Sequence, residues 1–302
     1  MTEIQRYLAE EIAEDHADGF VSRREALRRL GLLGLGGAAA ASLLAAVVAD
    51  QAKAAARKGA AGSATEPQAA AADEAAVATR EITFRGPGGR TLMGAWGAAK
   101  RPRGSVLVIH ENRGLNDSIR SVAGRLAASG YSALAIDLLS EEGGTGSFAD
   151  EFEAMAALGA VPPSRFVADM KAGVTELCRR FPKKKIAATG FCFGGGMTWL
   201  LLASESRLAA AVPFYGTFPD GGSLSGANAA VLGIYAELDS RVNATRSAAR
   251  TALRKASLKH SIVTYPDVDH AFFNPTSSRY DRAAATAAYR RMISWLDKYV
   301  AT

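Results

Sequence analysis

Cysteine and histidine are scarce in this chain: its 302 residues include two cysteines and four histidines. Cys178 is therefore the sole partner that Cys192 has for a disulfide or a redox pair. Cys178 falls near the end of a helical pattern, a strand from Lys185 to Phe191 follows, and Cys192 comes directly after it. At about 3.3 Å per strand residue, that strand carries the two sulfurs to opposite edges of a sheet, beyond the roughly 7 Å Cα separation that a bridge tolerates. The spacing predicts two free thiols and excludes a redox couple as the function. Concentrated charge of one sign is lacking too. The net charge is +6, but the cations sit in short scattered groups such as Arg23-Arg24, Arg28-Arg29 and Lys183-Lys184-Lys185, with no nucleic-acid motif beside them. That excludes nucleic acid as a partner. The stretch before Arg80 is dominated by alanine and charge, whereas from Glu81 onward apolar runs alternate with helical patterns, which leaves one globular domain, residues 81–302.

Residues 1–56 read as an export signal. Ser22-Arg23-Arg24-Glu25-Ala26-Leu27-Arg28 resembles the twin-arginine consensus, and a glycine- and alanine-rich, moderately apolar stretch follows from Leu30 to Ala49. Ala52-Lys53-Ala54 and Ala54-Ala55-Ala56 offer small-residue cleavage sites. The alternative is an uncleaved helix that anchors the chain, since about 20 apolar residues span a bilayer. Residues 57–80 read as a flexible linker. The domain is expected to be periplasmic or secreted, or anchored in the membrane facing the periplasm. Its expected partners are the twin-arginine export machinery and a small-molecule substrate, and it touches membrane only through an uncleaved leader.

Within residues 81–302, apolar runs alternate with helical periodicity. Strands are predicted at Ile82–Arg85, Thr91–Trp96, Ser105–His110, Tyr131–Leu139, Lys185–Phe191, Leu208–Phe214, Val231–Ala236 and Ser261–Tyr265. Helices are predicted at Asp117–Ser129, through Val167, Met170, Val174, Leu177 and Phe181, and over about 280–299. Such alternation implies an α/β class with a mostly parallel sheet covered on both faces, and active sites of such sheets lie at the carboxyl ends of the strands. Gly143-Gly144-Thr145-Gly146 reads as a mobile loop beside that edge.

Cys192 stands at such an end, in Gly190-Phe191-Cys192-Phe193-Gly194, the G-x-S-x-G turn of serine hydrolases with sulfur in place of the hydroxyl. Glycines let the strained turn form, and the helix N-terminus that follows favours thiolate and oxyanion. A thiol nucleophile needs a base. His16 lies in the export region, His260 begins a strand at the wrong edge, and His110 has the more useful Glu111 beside it. His270, in the loop after Ser261–Tyr265, is the base by elimination. Asp239, after Val231–Ala236, is the orienting acid, with Glu237 its rival. The order Cys192, Asp239, His270 is that of α/β-hydrolases.

Taken together, "VIHENRGLN", "GFCFGGG", "AELDSRV" and "DVDHAFFN" resemble the dienelactone hydrolase family of α/β-hydrolases, from about residue 82 to the C-terminus. The resemblance implies a Cys192–His270–Asp239 triad that opens an ester or lactone without metal or cofactor. It also implies a Glu111 that interacts with the thiol, and oxyanion donors at the backbone amides of Phe193 and Asn112. The leader and the "HENRGLN" loop resemble an exported subgroup. The family's cytoplasmic lactonases hold a substrate carboxylate with arginines before the lid and just beyond the histidine. Here those stretches read Asp137-Leu138-Leu139-Ser140 and His270-Ala271-Phe272-Phe273-Asn274, without arginine. Arg113 and Arg279 are the substitutes for substrate binding. The reading from a different class is a non-catalytic exported binding protein on the same scaffold.

Overall fold

The computed structural model describes residues 1–58 and 76–302. These form two units, one holding the described residues up to Lys58 together with Phe148–Pro163, the other holding the rest. The first unit is helical. In it α1 (Glu3–Ala17), α2 (Arg23–Leu32) and α3 (Gly37–Lys58) are joined by α5 (Glu151–Ala160). A reciprocal cap starts α1: Thr2 Oγ1 accepts from the Gln5 amide at 3.0 Å, and Gln5 Oε1 accepts from the Thr2 amide at 2.8 Å. Gly159 of α5 lies so close to Leu33, Gln5 and Leu8 that a β-carbon there would crowd them, and the Arg29 guanidinium stacks 3.5 Å from the Phe152 ring centre. The proposed cleavage sites fall within α3. Among the described residues no helix is long and apolar enough to cross a membrane. Most of the linker expected over 57–80 lies outside the described residues.

The second unit is an eight-stranded sheet. Its strands are β1 (Arg80–Arg85), β2 (Thr91–Gly97), β3 (Gly104–Ile109), β4 (Tyr131–Asp137), β5 (Ile186–Phe191), β6 (Leu208–Phe214), β7 (Ala230–Ala236) and β8 (His260–Tyr265), in the order β1-β2-β4-β3-β5-β6-β7-β8. β2 pairs antiparallel with β1 and with β4, and all other pairs are parallel. Every residue of β3, β4, β5 and β7 is buried, as parallel strands covered on both faces must be. The helices are α4 (Asp117–Ala128), α6 (Pro163–Arg180), α7 (Phe193–Ser204), α8 (Ser240–Lys255) and α9 (Arg282–Tyr299). From β3 the chain crosses by α4 to β4 on one side, then returns by α6 to β5 on the other. Right-handed crossovers therefore set α4 and α6 on opposite faces, and the reversal opens a crevice between the carboxyl ends of β3 and β5.

The strand boundaries agree with the sequence expectation to within two residues. β4 ends at Asp137 rather than Leu139 because the Asp137 carboxylate turns the chain, accepting from the Leu139 amide at 3.0 Å and the Thr145 amide at 2.7 Å. The loop expected to be mobile is pinned at its middle, since Thr145 Oγ1 also donates to Asp137 at 2.9 Å and accepts from the Leu115 amide at 2.8 Å.

At the crevice, backbone packs on backbone. A β-carbon on Gly194 would overlap the carbonyl oxygens of Ile109 and His110, one on Gly195 would overlap that of Phe214, and one on Gly190 would overlap that of Gly194. At Gly196 the nearest atom is 3.6 Å away. Gly194→Ala is thus expected to destabilise the fold by about 3 kcal/mol or more, because main chain cannot retreat as a side chain would. Gly196→Ala, inside α7 with room for its methyl, is expected to be neutral or stabilising by up to about 1 kcal/mol. Urea unfolding of both variants checks the contrast.

Candidate active site

Cys192 caps the N-terminus of α7 with φ 56° and ψ −119°, in the left-handed region, where a non-glycine residue costs about 1–3 kcal/mol. Its neighbours impose this. The Cys192 amide donates to the Phe214 carbonyl at 3.1 Å, and its own carbonyl accepts from Gly195 at 2.9 Å and Gly196 at 3.1 Å. The turn holds the sulfur at the head of α7, where first-turn amides and the helix dipole favour negative charge.

A ring nitrogen of His270 lies within 4.8 Å of Cys192 Sγ. The other side of the imidazole is committed, with Nδ1 and Asp239 Oδ2 2.6 Å apart, so Nε2 is the nitrogen directed to the thiol. Asp239 Oδ1 accepts from the Val242 amide at 3.0 Å and caps α8. One carboxylate thus starts a helix and orients a base. Burial opposes charge on Asp239, but His270 and the Val242 amide outweigh it and hold the carboxyl below its usual range. Burial likewise opposes the imidazolium, yet Asp239 and the Cys192 sulfur lift His270 well above its ordinary value. Glu237, the rival acid, is exposed and accepts from the Asp267 amide at 3.0 Å, so it ties two loop ends together and leaves His270 to Asp239.

Glu111 and Asn112 follow β3, and both are buried. The last ladder pair between β3 and β5 is Ile109 with Gly190, and Glu111 and Cys192 each lie two residues beyond it, past the ends of the two strands. Phe193 opens α7, its ring stacked on His110 at 6.4 Å and edge-on to Phe166 at 5.5 Å. Arg113 lies in the turn closed by the Gly114 amide on the Glu111 carbonyl. Arg279 Nε is 3.9 Å from the carboxylate of Asp269, next to His270. His110 is structural: Nδ1 lies 2.6 Å from the Glu111 carbonyl, Nε2 accepts from the Leu138 amide at 3.1 Å, and burial holds its pKa below the ordinary value. His260 Nδ1 meets the Leu258 carbonyl where β8 begins, and His16 Nδ1 meets the Val21 carbonyl in the helical unit. Neither cysteine is in a disulfide.

Two residues of the site escape the sequence reading. Tyr215 packs its ring edge-on to His270 at 5.1 Å and donates its hydroxyl to Glu111 Oε1 at 3.3 Å. Asn274 Nδ2 donates to Glu111 Oε2 at 2.5 Å. The signal available for each was position: Tyr215 directly follows β6 at the catalytic edge, and Asn274 closes "HAFFN".

A family model described as the dienelactone hydrolase family matches residues 93–300. A candidate carboxymethylenebutenolidase of Salmonella typhi is 35% identical over 207 residues, 64% of this chain and 77% of that protein. One from Saccharolobus solfataricus is 28% identical over 232 residues, 65% of this chain and 90% of its own. The crystal structure of a candidate dienelactone hydrolase from Klebsiella pneumoniae superposes with a TM-score of 0.64 at 30% identity, covering 74% of this chain and all of that one.

The buried pair carries a pH signature. The contribution from Asp239 is complete above its ordinary value of 3.8 and is lost as pH falls through its depressed native value. That from His270 is complete below 6.5 and is lost as pH rises through its elevated native value. Asp239→Asn keeps an oxygen for the α8 cap but removes the charge. Its destabilisation by urea unfolding is expected to be greatest between pH 3.8 and 6.5 and to shrink as pH rises past the native value of His270. A deficit that is flat across that rise would mean the pair is not charged in the native state.

Proposed function

The chain belongs to the dienelactone hydrolase family and is a hydrolase, and on that premise we propose that it cleaves carboxylic esters or lactones with a Cys192–His270–Asp239 triad through an acyl-thioester. The observation that carries this reading is the strained Cys192 turn beside a buried imidazole whose far nitrogen is held by Asp239. Sulfur attacks the acyl carbon with its proton transferred to His270 Nε2. The tetrahedral intermediate collapses, the C–O or C–S bond to the leaving group breaks, and His270 returns the proton to that group. Water then gives a proton to His270 as its oxygen attacks the thioester, and the acid departs as the Cys192 thiol re-forms. Asp239 holds the imidazole tautomer throughout.

The amides of Phe193 and Asn112 are the proposed oxyanion donors, each worth about 3 kcal/mol in related chemistry. Enol esters, enol lactones, aryl esters and thioesters suit this nucleophile best. A poor alkoxide leaving group would lose to the thiolate in the collapse. Arg113 and Arg279 are the proposed contacts for an anionic end of the substrate.

A panel of lactones, aryl esters and thioesters tests the activity. Cys192→Ala is expected to lower turnover by about 10⁴-fold, Cys178→Ala to leave it unchanged, and mass spectrometry of the wild type quenched during turnover of an aryl ester to find one acyl group on Cys192. Native-level turnover by Cys192→Ala would sink the nucleophile. Binding without turnover of any member would favour the non-catalytic scaffold.

We also propose export by the twin-arginine route, supported by Arg23 and Arg24 at the start of α2 and the small-residue sites in α3. Replacing both arginines by lysine is expected to leave precursor in the cytoplasm, as fractionation would show. Unchanged export of that variant would remove the reading.

A further inference from the structure

We propose that Tyr215 and Asn274 are positioning residues of this centre: their side chains donate to the two oxygens of Glu111 and fix that carboxylate in register with Cys192, where it sets the ionisation of the thiol. The inference rests on Cys192 as the reactive sulfur, and its test reads the thiol directly.

Three observations support it. Glu111 and Cys192 each lie two residues beyond the last ladder pair of β3 and β5, at the same edge of the sheet, and Glu111 is buried. Each of its oxygens has a donor of its own, Tyr215 Oη for Oε1 and Asn274 Nδ2 for Oε2. Both donors are themselves fixed. Asn274 Oδ1 accepts from the Thr276 amide at 2.9 Å, Thr276 Oγ1 at 2.8 Å and Ser118 Oγ at 3.2 Å. An amide N–H can only donate, so Oδ1 must face Thr276 and Nδ2 must face Glu111. Tyr215 is held at φ 33°, with its amide on the Ile234 carbonyl at 2.8 Å and its ring wedged against His270 and Phe272. A tyrosine kept in the left-handed region by its surroundings is a residue whose placement matters.

The chemical consequence follows from sign. Hydrogen bonds to a carboxylate favour its charged form. A charged Glu111 disfavours thiolate at Cys192, whereas an imidazolium at His270 favours it. At this edge of the sheet unit stand Glu111 with Tyr215, and His270 with Asp239 behind it, while burial holds the His110 pKa below its ordinary value at the end of β3. Removing a donor weakens the anionic form of Glu111 and tips this balance toward thiolate.

The test is the rate of Cys192 alkylation by iodoacetamide in the full chain, in a Cys178→Ala background. Glu111→Gln is expected to raise the rate at pH 7, and Tyr215→Phe, which keeps the ring against His270, to raise it by about three- to tenfold. Asn274→Ala is expected to act in the same direction, with thermal melting to verify folding. In the Glu111→Gln background neither change is expected to add anything, because the group through which both act is gone. An unchanged rate in Tyr215→Phe, or an equal increment with and without Glu111, would overturn the proposal. An unchanged rate in Glu111→Gln would overturn it too, while leaving a loss of turnover in Cys192→Ala to stand on its own.

Discussion

Main chain lying against main chain, with no side chain between, is the constraint on which this site depends. The head of α7 reaches the carbonyls of β3 and β6 through Gly194 and Gly195, and β5 reaches α7 through Gly190. With these approaches fixed, the residue between strand and helix has no helical or extended conformation left to it, and Cys192 takes a positive φ. The sulfur's position is therefore set by four stretches of backbone and needs no side-chain partner to hold it.

Electrostatics divides along the same edge. On one side of Cys192, His270 and Asp239 form a buried pair in which each favours the charged form of the other. At the same edge, the Glu111 carboxylate takes a hydrogen bond on each oxygen, from Tyr215 and from Asn274. A buried ion pair adds little to stability when compared with apolar packing, but removing one member leaves a charge without compensation. The site is thus more demanding of completeness than of strength. The aromatic cluster of Phe191, Phe214 and Phe273, with ring centres 4.7 to 5.1 Å apart, gives it a rigid apolar floor.

The fold was legible in the sequence because its signals are local. Continuous apolar runs such as Val106 to Ile109 mark strands buried on both faces, and Gly190-Phe191-Cys192-Phe193-Gly194 writes out its own turn. The Asp239–His270 contact was legible because chain order and strand ends suffice to place both residues at one edge. Tyr215 and Asn274 were not, since their meaning lies in hydrogen bonds to Glu111 across 104 and 163 residues of chain, and neither residue type announces such a bond. The contacts of Thr145 were hidden for a related reason: three glycines surround it, and its hydrogen bonds go to a carboxylate eight residues back. The grouping of α5 with the N-terminal helices rests on shape at Gly159, which no periodicity reports.

The span of the Glu111–Asn274 bond also bears on how the molecule is made. Synthesis delivers the N-terminal part first, and contacts distant in sequence must wait for the chain between them to be ordered. The strand, turn and helix that carry Cys192 are adjacent in sequence and can assemble among themselves and β3. His270 and Asn274 come from a loop near the C-terminus, tethered through β8. A growing or partly folded chain therefore holds its thiol before the whole edge is complete, and a nascent chain cut short before residue 270 carries Cys192 without His270 and Glu111 without its Asn274 donor.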